Sequence, residues 1–269
     1  MATTGRPAVA KTRRRTEPFG SAHLVSLERA LSKLGLASRS EARALIADGR
    51  VTVDGQTVLN PSHRVTPERI TITIDGQART ATTTFTLILH KPRGCVTTRS
   101  DPEGRKTVYD LLGDVPARVV PVGRLDLATS GLLIFTTDTQ FANWLTDPRS
   151  SVPRVYLVTV EGRATAETAA TLTRGITADG ERLAATYATV RKASTRESHL
   201  VVTLEEGKNR EVRRLMEAVG HPVTQLRRVQ FGGLALDNLA PGKWREVSDV
   251  ELRAAFPAYR PRSRAPRPK

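Results

Sequence analysis

Residues 123–138 read GRLDLATSGLLIFTTD: a Gly-Arg turn, a carboxylate at Asp126 between Leu125 and Leu127, a Ser130-Gly131 pair, and then Leu132, Leu133, Ile134 and Phe135. An apolar run of that length, bounded by turn residues and closed by threonines, reads as a buried strand. An acid on the loop feeding such a strand needs a reason. An ionised carboxylate in apolar surroundings costs several kcal/mol unless it is paired or hydrogen-bonded, so it is either held by structure or used for chemistry.

Outward from this strand, TLILH (86–90), RVYLVTV (154–160) and HLVVTLEE (199–206) are also β-rich, and helices are expected at 139–146, 165–174 and 209–219. Strands outnumber helices and the links are short, which predicts an α+β domain on a largely antiparallel mixed sheet flanked by helices, over residues 84–256. A smaller unit precedes it, over residues 22–80. There Leu27, Ala30, Leu31 and Leu34 recur at helical spacing with Gly35 as the stop, and Ser38 with Glu41 forms a capping box for a helix that Gly49 ends. Asp54-Gly55 between valines and Asp75-Gly76 after ITITI are hairpin turns, so this unit is two helices and a small sheet.

The net charge of +15 and pI near 10.9 point to a polyanion partner, with nucleic acid foremost. Part of the excess sits in an Arg-rich opening (1–21) and a Pro/Arg close (257–269), both expected to be disordered basic arms. The rest lies inside periodic segments, notably Lys208 to Arg214. A single cysteine, Cys95, excludes a disulfide framework and a multi-cysteine metal site, and the five histidines form no HExxH. No apolar stretch reaches the ~18–20 residues of a spanning helix, and no Walker loop, GxGxxG turn or G-x-S-x-G elbow occurs. No membrane, metal or cofactor is therefore expected, and a reducing cytoplasm fits best.

Carboxylate chemistry with basic partners remains. On residue type alone Asp126 is an ordinary turn-capping acid, with Arg124 as its structural ion pair. Arg210, Arg213 and Arg214 are likewise unremarkable on a solvated helix face, and Tyr156 is a core tyrosine. Yet a carboxylate needing a cation and a helix start offering arginines are complementary.

Taken together, these pieces resemble the ribosomal-RNA pseudouridine synthases that carry an N-terminal S4 domain. GRLDLATSGLL (123–133) is similar to the family's signature, EGKNREVRRL (206–215) to its second motif, HKPRG (90–94) to its Lys-Pro-x-Gly turn, RVY (154–156) to its basic-x-Tyr strand, and LGLASRSEARALIADGRVTVDG (34–55) to the S4 module. The departures are Ser26, His90, Glu211 and Leu215, where the group more often has Arg, Asn, Gln and Met.

The resemblance implies isomerisation of a specific uridine to pseudouridine in rRNA, without cofactor or metal. It maps the essential aspartate to Asp126, the active-site tyrosine to Tyr156 and the basic partner to Arg213, and implies RNA contacts from Arg124, Lys208, Arg210 and Arg214 and, on the S4 unit, from Lys33, Arg39, Arg43 and Arg50. Large-subunit rRNA is favoured over small-subunit rRNA, and a monomer is expected. The competing reading is a non-catalytic S4-type rRNA-binding assembly factor; an S4-linked methyltransferase is disfavoured for want of a glycine-rich cofactor loop. If the opening arm is electrostatic, removal of residues 1–19 will weaken RNA affinity and flatten its dependence on salt while chemistry on saturating RNA persists. Filter binding across a salt series measures this, and an unchanged slope would speak against the arm.

Overall fold

The computed structural model describes residues 24–34, 36–67, 69–78, 84–113, 115 and 118–260. The opening arm, Gly35 and the last nine residues of the expected tail lie outside them.

The N-terminal unit forms as its sequence dictates. Helix α1 (Leu27–Lys33) and helix α2 (Arg39–Ala47) pack Leu27, Ala30, Leu31, Ala42, Leu45 and Ile46 onto a four-stranded sheet through Val51, Val53, Ile72 and Ile74. The Ser38–Glu41 capping box is complete, its two halves satisfying two amide donors that the first turn of α2 leaves open. Both hairpin turns place their Asp and Gly at positive φ (48° and 84°; 54° and 72°), the type I′ geometry that matches strand twist.

The second unit is built on a nine-stranded sheet among the described residues. Its seven main strands are β1 (Thr86–Lys91), β2 (Thr129–Thr136), β3 (Arg154–Glu161), β4 (Tyr187–Ala193), β5 (Glu197–Leu204), β6 (Val223–Phe231) and β7 (Trp244–Glu246), in the spatial order β4-β5-β3-β6-β2-β1-β7. Every neighbouring pair along this path is antiparallel except β6 and β2, which run parallel over three residue pairs at the centre. Helices pack on the sheet at both ends: α3 (Thr139–Thr146) and α6 (Asp249–Ala255) share a core with Ile88, Leu132 and Ile134, whereas α4 (Ala166–Arg174) and α5 (Glu211–Ala218) share one with Tyr156, Val158, Leu200 and Val202. The α+β expectation therefore holds, and the three helices predicted in this domain form within two residues of the expected bounds.

The two units touch. Arg118 makes a two-point ion pair with Glu41 of α2, and the Thr139 hydroxyl at the start of α3 donates to the Lys33 carbonyl at 2.9 Å. At the other end the chain stays packed beyond residue 257: the Tyr259 ring lies against Phe141 and Trp144, and its hydroxyl donates to Asp138 at 3.0 Å. An aromatic ring and a hydrogen bond hold what composition alone assigns to the tail.

The parallel seam depends on Gly131. Its φ is +113°, and a Cβ there would come 2.6 Å from the Arg228 nitrogen, with the Arg228 carbonyl oxygen closer still. Only a residue without a side chain lets β2 approach β6 this closely. Gly131→Ala is expected to lose at least about 3 kcal/mol of stability, since both the backbone conformation and the overlap oppose it. Denaturant unfolding measures the loss, and a midpoint unchanged from the wild type would refute the seam argument.

Candidate active site

Asp126 stands on the loop that enters β2, and each carbonyl of that loop is held by a donor from elsewhere in the chain. Thr97 Oγ1 donates to the Leu125 carbonyl at 2.8 Å, Lys91 Nζ to Asp126 and Thr129 at 3.0 and 2.9 Å, the Gly94 amide to Leu127 at 2.9 Å, and Arg213 Nη2 to Ala128 at 3.2 Å. Three of these donors, Lys91, Gly94 and Thr97, come from one short segment that starts at the last residue of β1 and runs through the Lys-Pro-x-Gly turn. Leu125 is buried, whereas Asp126 and Leu127 are each 42% exposed. The loop is thus rigid in backbone and presents an acid and an apolar side chain outward.

Two expectations need correction here. Asp126 is not buried, so desolvation does not compel an ion pair. Its nearest cation is neither Arg124 nor Arg213 but Arg210, whose Nη1 lies 4.0 Å from Oδ2. Both partners are half-exposed, so the pair is worth about 1 kcal/mol or less. Arg210 reaches it from the residue before α5, in the left-handed region at φ +49°. That conformation is uncommon for a residue with a side chain, and here it turns the guanidinium toward the loop.

Arg213 has a structural hold instead. It is half-buried and donates to the carbonyls of Val223 and Ala128, tying α5 to the Asp126 loop and to the start of β6. Burial lowers its pKa first, Arg210 and Arg93 beside it act in the same sense, and Asp126 acts against them. Asp126 is therefore within electrostatic reach of Arg213 without a direct ion pair. Arg124 is exposed on its turn and makes no hydrogen bond or ion pair among the described residues.

Tyr156 lies on β3, opposite Val202 and Arg228, with its ring in the core shared with α5. Its hydroxyl has no hydrogen-bond partner among the described residues. Three of the four buried side-chain polar atoms left without partners sit along the same seam: Thr129 Oγ1, Arg213 Nε and Arg228 Nη2. Buried polar groups are almost always satisfied, so these three are exceptions, and they lie close to the Asp126 loop and the β2–β6 pairing.

The remaining predicted contacts divide by their partners. Lys208 pairs with Glu206 at 2.7 Å and donates to the Arg182 carbonyl, and Arg214 is committed to Asp179, Glu181 and the Ala178 carbonyl. On the S4 unit Arg43 pairs with Glu28 and Arg50 with Asp75, Arg39 is exposed at the start of α2, and Lys33 ends α1. Of the departures from the family pattern, His90 is buried and its Nδ1–H donates to the Leu239 carbonyl at 2.6 Å. Glu211 is buried at the start of α5 and accepts from the Lys208 amide, while desolvation raises its carboxyl pKa. Among the described residues no group of His, Cys, Asp and Glu could hold a metal ion, and no helix is long and apolar enough to cross a membrane.

Lys91 was no candidate from sequence, because a lysine in a strand carries no signal of burial. Its side chain is fully buried, and burial lowers its pKa to about 8 against the pull of Cys95 and Asp126.

The sequence pattern of the RNA pseudouridylate synthase family matches residues 85–218, and that of the S4 domain matches residues 26–70. An uncharacterised RNA pseudouridine synthase of Aquifex aeolicus is 38% identical over 246 residues, covering 89% of this chain and 98% of that one. Ribosomal large subunit pseudouridine synthase B of Bacillus subtilis is 34% identical, covering 84% and 93%. Among solved structures, a pseudouridylate synthase superposes with a TM-score of 0.60 at 26% identity, covering 85% of this chain and 98% of that one.

Lys91→Met should keep the volume and strand the carbonyls of Pro92, Asp126 and Thr129, costing on the order of 3 kcal/mol. The pH dependence has a definite sign. With a folded pKa of about 8, below that of a lysine in the unfolded chain, the unfolded state binds the proton more tightly. The lysine's charge opposes folding fully below pH ~8, and that penalty fades as pH rises toward ~10.4. The stability margin of wild type over Lys91→Met is therefore expected to widen between pH 7 and pH 10; a margin that is flat or narrows would contradict a buried charged lysine.

Proposed function

The chain belongs to the RNA pseudouridine synthases, and from that premise we propose that it converts one uridine of large-subunit ribosomal RNA to pseudouridine, with Asp126 as the catalytic carboxylate. The observation that carries the assignment is the clamped loop. A backbone held at successive carbonyls fixes the acid in place while leaving its side chain open to a ligand. Such pre-organisation is what a positioned catalytic group requires.

In the proposed reaction the target nucleotide leaves its stack and docks against the Asp126 loop, beside the point where β2 and β6 begin to pair. The bond from ribose C1′ to uracil N1 breaks with Asp126 acting at the sugar, the base turns, and a bond forms from C1′ to C5. The C5 proton is lost and N1 gains one. Substrate and product are isomers, so the step needs no oxidant or second substrate. Tyr156 offers an aromatic surface for the extruded base, with a hydroxyl free to take part in proton removal. Arg210 and Arg124, both exposed beside the Asp126 loop, are assigned in this reading to the phosphates next to the target, and the S4 cations to contacts at a distance.

The large-subunit target is supported by the names of similar proteins from Bacillus subtilis and Vibrio cholerae, both ribosomal large subunit pseudouridine synthase B. Asp126→Asn is expected to reduce pseudouridine formation at least a thousandfold while rRNA affinity stays within about twofold. A variant that still forms pseudouridine would remove Asp126 from catalysis. Pseudouridine mapping of rRNA from cells with and without the gene should show one large-subunit position disappear, and a loss confined to the small subunit would reverse the target assignment.

A further inference from the structure

The face of the sheet away from Tyr156 carries a second basic feature. Side chains alternate along a strand, so Leu157 and Thr159 of β3 point opposite to Tyr156 and Val158. Cross-strand pairing extends each into a row. Leu157 lies opposite Arg227 of β6, which lies opposite Ser130 of β2; Thr159 lies between Gln225 of β6 and His199 of β5, and His199 lies opposite Lys192 of β4. These rows floor a concavity of about 790 Å³ that no helix lines and that Arg93, Arg191 and Pro241 help to wall.

Its charge is one-sided. Arg93, Arg191, Lys192 and Arg227 line it, and among the described residues none of the four has a carboxylate within 4.0 Å. No acid is among the lining residues. Glu197 lies 3.3 Å from Nε2 of the lining residue His199, and the other nitrogen of that ring lies 3.2 Å from Thr159 Oγ1. Elsewhere in this domain Arg105, Arg149, Arg174, Lys208, Arg214 and Arg245 are each paired with an acid. What sets the groove apart is that four unpaired cations converge on one concave surface that no acid lines.

We propose that this groove holds the phosphate backbone of an RNA helix flanking the target nucleotide. The inference rests on the assignment of RNA as substrate and adds where a further part of it lies. Two features select this occupant. No Phe, Tyr or Trp lines the groove, so it lacks the stacking platform by which sheet surfaces bind single strands. The groove also borders the Asp126 loop: Ser130, just after that loop, lines it, and so does Arg93, whose neighbour Gly94 donates its amide to the Leu127 carbonyl at 2.9 Å.

The test uses the full chain with three RNAs: protein-free large-subunit rRNA, an RNA duplex of about 20 base pairs of unrelated sequence, and one strand of that duplex alone, the first two being those the groove is expected to bind. Arg191→Gln with Arg227→Gln is expected to weaken both about tenfold near physiological salt and to reduce the slope of log affinity against log salt by roughly one to two. Arg191→Lys with Arg227→Lys should restore most of the affinity, because the phosphate contact needs charge more than shape. Circular dichroism verifies that both variants fold, and a misfolded Gln pair would be replaced by Arg191→Ala alone, with about half the effect. Unchanged affinity and slope in a folded variant would overturn the proposal, as would a loss confined to a single-stranded oligonucleotide. If instead the groove receives an acidic protein surface, naked RNA binding will not respond at all. A wild-type protein that forms no pseudouridine would defeat the assigned activity, whatever the groove variants do.

Discussion

The Lys91 ammonium is the point on which the site turns. A buried lysine is expensive, and its three hydrogen bonds to main-chain carbonyls offset that cost only while those carbonyls converge on it. Convergence requires β1 to end where it does, the Pro92-Arg93-Gly94 turn to fold back, and the Asp126 loop to arch over the end of the strand. Any displacement of the loop would leave a charge and several acceptors without partners. The penalty for disorder is thus far larger than for a loop held by surface contacts, and it falls on the residues that fix the direction of Asp126.

Cations elsewhere in the chain separate into two sets once their partners are known. Lys208, Arg214, Arg43 and Arg50 are engaged by acids and act in the first place as structural ties. Arg93, Arg124, Arg191, Lys192 and Arg227 make no ion pair among the described residues and lie on the Asp126 loop or on the groove beside it. Summed charge cannot distinguish the sets, since both contribute equally to the total of +15. What matters to a polyanion is the field left after local neutralisation, and these five cations add to it beside the central seam.

This division explains which features are legible in the sequence. The capping box of α2, the Asp-Gly hairpins and the strand after Asp126 are local events, decided by residues within a few positions of one another, and each forms where its pattern predicts. The partner of Asp126 is a tertiary event. It depends on Arg210 adopting a left-handed backbone before α5 and on Arg213 being drawn to the carbonyls of Val223 and Ala128, and no spacing rule encodes either. Lys91 is hidden for the same reason, because its burial follows from the arch of a loop more than thirty residues away. Tyr156 is the intermediate case: strand alternation gives its face, but only the register with Arg228 and the seam gives its neighbours.

The distance between Asp126 and Arg210 acquires meaning from what covers it. At 4.0 Å in open solvent the attraction is about 1 kcal/mol, and at the effective dielectric of a partly covered site it rises to about 4 kcal/mol. In the proposed complex the RNA itself excludes water from this gap. The same event that would desolvate the carboxylate therefore strengthens its attraction to the cation beside it, so no tight pair is needed before the nucleotide arrives. A tight pair formed in the free protein would have to be broken to admit the ribose. Arg213, held to the backbone, keeps the loop fixed without occupying the acid, and Arg210, exposed and 4.0 Å away, supplies the charge without blocking it.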